Sequence, residues 1–205
     1  LVGSEMCIRD SLEIFDKEFA INNFDLKNVL ANPAVFDTQK LLWMNGQYIR
    51  EFDEKTFNKI ALETIETSLS RELFSEEIER INLILSVVQE RLETLKDLMG
   101  QVEFLLDEPF NVDKDEWEEV NSKSAQDYLT NIRNEFKTMK DFELDKIEAM
   151  MREQIKKLDL KPKEGFQAAR VAITGTKISP PLFESIYALG QSSTIARIAE
   201  KIDNL

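Results

Sequence analysis

Along residues 72–97 the apolar positions Phe74, Ile78, Ile81, Leu85, Val88, Leu92 and Leu95 recur in alternating steps of four and three. That spacing puts them on one face of an α-helix, with Glu77, Arg80, Glu90 and Arg91 beside or opposite it, and predicts one amphipathic helix across the stretch. The segment from residue 53 carries a weaker version of the same pattern in Phe57, Ile60, Ala61, Ile65 and Leu69. No stretch alternates with period two for long enough to argue a strand, so the pattern predicts an all-α chain.

Breaks in the periodicity fall at "ANPAVFD" (31–37), "LMG" (98–100), "LDEPFNVDKDE" (106–116) and "KPKEG" (161–165). Asp37 is placed to cap a helix through "TQKLLWMNGQYIR", because its carboxylate accepts free N–H groups of the first turn. Asp113 or Asp115 is placed to do the same for a helix carrying Trp117. The Pro/Asp-rich stretch near 107–115 is the predicted boundary between two helical subdomains, 53–110 and 111–205, preceded by a helical segment over 11–52. Within 11–52, Leu41, Trp43 and Tyr48 read as core. Near the end, "RVAITGTKISPPLFESIYALG" (170–190) is the most specific break. Gly175 is expected to end a helix in the left-handed conformation. Ser179 is expected to cap the next helix with Pro180 and Pro181 in its first turn, and Gly190 to close it. Ser192 or Ser193 opens a last helix with Ile195, Ile198, Ala199 and Ile202 inward.

Composition narrows what such a chain can do. With 205 residues, 42% of them hydrophobic and 32% charged, it can bury a core unaided and is a soluble globular chain. No apolar run approaches the roughly 20 residues that span a bilayer. "LVGSEMCIRD" (1–10) lacks periodicity and resembles translated adapter sequence at the edge of an assembled reading frame. It reads as a non-native leader on a fragment, and it holds Cys7, the single cysteine. Histidine is absent, which removes the commonest general base and the usual zinc ligand. No catalytic or metal-ligating set stands out.

Net charge is −13, yet residues 151–178 hold seven basic groups (Arg152, Lys156, Lys157, Lys161, Lys163, Arg170, Lys177) against three acidic ones, a local excess of +4. A basic element on an acidic body can hold a polyanion through short-range contacts, or it can be a solvated helix face.

Two motifs carry a family resemblance. "NPAVFDTQKLLWMNGQYIR" (32–50) is similar to the segment after the catalytic signature of bacterial-type glutamyl-tRNA synthetases (glutamate–tRNA ligases), and "RVAITGTKISPPLFESIYALG" is similar to that family's carboxy-terminal signature. They stand in the family's order and at about its spacing, and the resemblance runs from about Ser11 to the end. It implies the carboxy-terminal half of such an enzyme: a helical cage for the tRNA anticodon, preceded by a helical segment that touches the tRNA stem. By position it implies anticodon contacts by Arg91, Arg170, Ser179, Pro180, Leu182 and Phe183, and backbone contacts by Lys40, Asn45, Arg50 and Lys177. Arg91 matches the arginine that reads the third anticodon base in many members, which implies discrimination between glutamate and glutamine tRNAs. Ser179 stands where some members carry threonine.

The family's histidine-containing and Lys-Ser catalytic signatures are missing from these residues. The resemblance therefore implies recognition here and catalysis in a separate domain of the parent chain. The parent would attach glutamate to tRNA(Glu) with ATP and Mg; this fragment would bind no cofactor. A cytoplasmic monomer with no membrane contact completes that expectation. The competing reading is a helical scaffold that binds a protein partner through its acidic surface and the amphipathic helix 72–97.

Overall fold

The computed structural model describes residues 14–15, 17–28, 36–107 and 110–203. The leader 1–10 and most of "ANPAVFD" lie outside them. Among the described residues every regular element is helical. In chain order the helices are α1 (Lys17–Asn23), α2 (Thr38–Arg50), α3 (Glu54–Leu69), α4 (Ser75–Asn82), α5 (Leu85–Gln89), α6 (Leu98–Val102), α7 (Lys114–Val120), α8 (Lys123–Thr138), α9 (Leu144–Lys157), α10 (Pro162–Thr174), α11 (Leu182–Leu189) and α12 (Gln191–Asp203), with 3-10 turns at Leu26–Asn28, Leu95–Asp97 and Glu103–Leu105.

Side-chain caps set several starts. Asp37 accepts from the Lys40 amide at 3.0 Å, Asp53 from Thr56 at 3.1 Å, Asp113 from Glu116 at 3.0 Å and Ser122 from Ala125 at 3.1 Å. Each satisfies an amide that the first helical turn leaves without a partner. Gly175 (φ +88) and Gly190 (φ +85) end α10 and α11 in conformations that suit glycine, as the sequence predicts.

The predicted helix over 72–97 is instead three pieces: α4, α5 and, after a loop at 90–94, the turn that leads into α6. Of the stripe, Ile81, Leu85, Val88 and Leu92 are buried and Ile78 and Leu95 half-buried, while Phe74 is 55% exposed. The stripe's continuity fails because Ile84, next to Leu85, is also fully buried. A straight helix would turn that neighbour about 100° off the stripe; the chain bends at Leu83–Ile84 and buries both. The second break is stabilised by Thr94, whose amide and hydroxyl both donate to the Asp97 carboxylate at 2.9 Å and so start the next turn.

In the earlier half, α3 buries Phe57, Ala61 and Ile65 against α5, α6 and the 95–97 turn. In the later half, α8 packs against α9, α10 and α12, and α10 also meets α7 and α11. The halves join where α11 rests on α4 and the 103–105 turn. Arg197 of α12 crosses this junction: it donates to the Ile173 and Phe104 carbonyls, both at 2.6 Å, and stacks 3.8 Å above the Phe110 ring. Burial, and then the charge of Arg80, push its pKa down to about 10 against the opposing pull of Glu200, so it remains a cation at neutral pH.

Glu77, fully buried in α4, ties the earlier half to the boundary segment. It takes a two-pronged contact from Arg71 at 2.8 and 2.9 Å and accepts from the Phe74 and Asp107 amides at 2.9 Å. Arg71's hydrogen bonds lead the causes that lower its pKa from 4.5 to about 2, against the cost of burial. A depressed carboxylate contributes stability that is fully present above the unfolded pKa and lost as pH falls through the folded one. Glu77→Ala should therefore cost on the order of 3 kcal/mol at pH 7, since it strips a buried ion pair and two amides of their acceptor. In thermal unfolding across a pH series, the gap in Tm between the variant and the wild type should hold above pH 4.5 and close as pH falls toward about 2.

Candidate nucleic-acid interface

The site is built around the turn between α10 and α11, residues 175–181. Thr174 and Gly175 lead the chain out of α10, and the Gly175 carbonyl accepts from the Asp113 amide at 3.0 Å. The packing leaves no room for a side chain there, because a Cβ on Gly175 would sit 2.6 Å from the Asn111 carbonyl oxygen. Further along, the Thr176 hydroxyl donates to the Ile178 carbonyl at 2.7 Å. The Lys177 amide donates to the Glu116 carboxylate, and the Lys177 ammonium pairs with Glu119. Both acceptors lie on α7, so the turn is tied to a neighbouring helix on one side.

Arginines tie it on the other. Arg170 directs Nη1 at the Ser179 carbonyl (3.2 Å), the Ser179 hydroxyl (2.6 Å) and the Pro180 carbonyl (2.5 Å). Arg91, from the loop after α5, donates Nη1 to the same Ser179 carbonyl at 3.3 Å. Burial first, and the Arg91 charge second, hold the Arg170 pKa below the ordinary arginine value, with Glu184 opposing. Ser179 is accordingly not the cap that the sequence suggests: it is 8% exposed and its hydroxyl is turned onto Arg170 and the Pro180 carbonyl. α11 begins later, at Leu182, with Pro181 at its cap. A proline disfavours helical backbone in the residue before it, so the Pro180–Pro181 pair keeps α11 from starting at Ser179 or Pro180.

Helix α2 supports Arg91 from behind. Arg50 donates to the carbonyls on either side of it, Glu90 at 3.2 Å and Leu92 at 3.5 Å, and Asn45 donates to the Glu93 carbonyl at 2.5 Å. Gly46 permits this approach, because a Cβ there would meet the Leu92 carbonyl at 2.9 Å.

The structure thus brings together Arg91, Arg170, Ser179 and Pro180. Leu182 is buried at the start of α11, and Phe183 is half-buried, edge-on to Phe166 at 5.5 Å. Asn45 and Arg50 are spent on the 90–93 loop, Lys177 faces α7, and Lys40 sits half-buried on α2. Leu41, Trp43 and Tyr48, expected in the core, are 43%, 43% and 41% exposed. α2 buries only the face that holds Gly46 and Ile49, and leaves those three outside.

Two residues near the turn were not assigned to the site by the sequence. Arg152 of α9 lies over both the Phe166 and Phe183 rings, at 5.6 and 5.5 Å, a cation–π arrangement, and also pairs with Glu148. It belongs to the basic segment, but no local spacing links it to Phe183. Ile178, 77% exposed at the tip of the turn, could have been flagged as an apolar residue flanked by polar ones in a loop.

A family model described as "Anticodon binding domain" matches residues 47–202. The glutamate–tRNA ligase of Cutibacterium acnes is 32% identical over 199 residues, covering 93% of this chain and 40% of the relative. That of Kocuria rhizophila is 34% identical over 192 residues, covering 91% of this chain and 38% of the relative. The chain therefore spans about two-fifths of the length of these curated relatives. A crystal structure of a glutamate tRNA ligase from Elizabethkingia meningosepticum, in complex with its amino acid, superposes with a TM-score of 0.74 at 20% identity, over 92% of this chain and 36% of that one. At that identity the likeness speaks for the fold.

The two glycines at the edges of this architecture should respond oppositely to an added methyl. Gly175→Ala forces a positive φ on alanine and a contact with the Asn111 carbonyl, so it should cost about 1–3 kcal/mol. Gly100→Ala, in α6 with nothing near the new atom, should be neutral or stabilise by up to about 1 kcal/mol. Thermal unfolding reads both, at roughly 2–4 °C per kcal/mol for a chain of this size.

Proposed function

The chain belongs to the anticodon-binding domain family, and on that premise we propose that it is the tRNA-gripping part of a glutamate–tRNA ligase, with tRNA(Glu) as its partner. The parent enzyme would join glutamate to that tRNA in an ATP-dependent two-step reaction, with ATP and Mg held in a catalytic domain of the same parent chain. These residues would supply recognition as a cytoplasmic monomer. The observation that carries the reading is the meeting of Arg91 and Arg170, from opposite halves of the chain, at the Ser179 carbonyl. Two adjacent guanidiniums beside a rigid turn, with Ile178 exposed at its tip and the Arg152–Phe183 stack on α9 and α11, supply what unpaired bases need: forked donors and apolar or aromatic surface. The scaffold alternative drew on the acidic surface and on an amphipathic helix over 72–97, and that helix is interrupted twice.

The test is binding of the 205-residue chain to a tRNA(Glu) transcript and to an anticodon-swapped transcript over a salt series. Affinity should fall with salt by about 0.7–0.9 log units per log unit for each phosphate neutralised, and the swap should cost about 1–3 kcal/mol. Arg91→Gln should shrink the penalty for changing the third anticodon base while sparing changes at the first. Equal binding of both transcripts, or of tRNA(Glu) and tRNA(Gln), would contradict the assigned specificity.

A further inference from the structure

Arg197 joins three parts of the chain at one guanidinium. From α12 its Nη1 donates to the Ile173 carbonyl and its Nη2 to the Phe104 carbonyl, both at 2.6 Å, and the group lies 3.8 Å over the Phe110 ring. Ile173 is the penultimate residue of α10, and Phe104 belongs to the 103–105 turn of the earlier half. The ends of helices leave carbonyls without amide partners and carry partial negative charge, so a cation set between two such ends suits both. Arginine fits that place, because its planar fork reaches two acceptors in fixed directions and its face stacks on a ring. A lysine ammonium on its flexible stem does neither.

Two of these contacts lead to the turn between α10 and α11. Gly175 follows Ile173 by two residues. Asn111 follows Phe110, and its carbonyl oxygen packs so close to Gly175 that a Cβ there would sit 2.6 Å away. The third contact leads toward Arg91: the 103–105 turn packs on α4 and α6, and α3 joins α6 to α5, the helix before Arg91. Arg91 meets the Ser179 carbonyl at 3.3 Å. That length is near the outer limit of a hydrogen bond, so a shift of about 1 Å between the halves breaks it. We propose that Arg197 is a positioning residue for recognition of the third anticodon base. It fixes the angle between the two helical halves and so keeps Arg91 in reach of the Ser179 turn, acting through Arg91 and not on the RNA. The inference rests on the reading above, in which Arg91 reads that base; the fixing of the angle does not.

The first arm needs no RNA. Nitroxide labels at Lys59→Cys on α3 and Lys157→Cys on α9, side chains 76% and 53% exposed, report the distance between the halves once Cys7→Ser removes the native thiol. Pulsed dipolar spectroscopy should give one narrow distance distribution for the 205-residue chain, and Arg197→Lys should broaden or shift it. Phe110→Leu withdraws the ring beneath the guanidinium, keeps an apolar side chain, and should act the same way to a smaller extent. A broad distribution without either change, or one that neither variant alters, overturns the inference.

The second arm is a double-mutant cycle on tRNA affinity. Arg197→Lys should lower the discrimination between tRNA(Glu) and a transcript swapped at the third anticodon base by about threefold or more, and should leave that ratio unchanged in an Arg91→Gln background. In that background the contact it positions is already gone. A part confined to stability would lower Tm and total affinity and leave the ratio alone; that result overturns the positioning role while the proposed function stands. Equal losses of discrimination in both backgrounds overturn it too, because Arg197 would then act independently of Arg91. A distance response without tRNA binding sinks the proposed function and the anticodon role together, and is told apart by the first arm, which still shows the angle fixed.

Discussion

The Ser179 carbonyl oxygen is the point on which the interface depends. It accepts from Arg170 at 3.2 Å and from Arg91 at 3.3 Å, and those donors come from opposite halves of the chain. Its position follows from two constraints of covalent geometry. Gly175 lets the chain leave α10 with a positive φ, and Pro181, at φ −53 and ψ 137, holds off α11 until Leu182. Between them the turn has little backbone freedom, so the Ser179 carbonyl is a fixed target for the arginines.

From that point support spreads outward in layers. Arg91 reaches the turn because Arg50 and Asn45 of α2 hold the carbonyls of residues 90, 92 and 93. The far side of the turn is held by Glu116 and Glu119 of α7, and α7 in turn starts at Asp113, whose amide donates to Gly175. Arg197 adds a separate brace by bonding Phe104 and Ile173 across the same junction. Residues that resemblance assigned to the RNA backbone, Asn45 and Arg50 among them, thus have a structural task in the free protein. That task places Arg91.

Most of the fold was legible because its signals are local. Asp37, Asp113, Gly175 and Gly190 act within a few residues of their own positions, and each sits where the sequence puts it. The apolar stripe of 72–97 was legible as buried positions at Ile81, Leu85, Val88 and Leu92 but not at Phe74, and its breaks were not legible, since α3 packs on α5 and burying both Ile84 and Leu85 is a tertiary outcome. The exposure of Leu41, Trp43 and Tyr48 was hidden for the opposite reason. An apolar residue on a helix predicts a contact, and nothing in the sequence says which face of α2 is used. At the candidate site, Arg91 and Arg170 were marked by resemblance. Their meeting at one carbonyl, 88 and 9 residues away in the chain respectively, is a tertiary fact that no spacing encodes.

The choice of partner for these two arginines bears on how the site works. A carboxylate at Ser179's place would have held the guanidiniums as firmly, but it would have neutralised them, and a polyanion would then have to compete for them. A carbonyl restricts the side chains and leaves their charge. Ordering a long arginine costs rotamer entropy of up to about 2 kcal/mol, and here part of that cost is met during folding, before any ligand arrives. Preorganisation of this kind raises affinity by lowering the cost of binding rather than by adding contacts. Burial and the proximity of Arg91 lower the pKa of Arg170, and the Glu184 carboxylate opposes them.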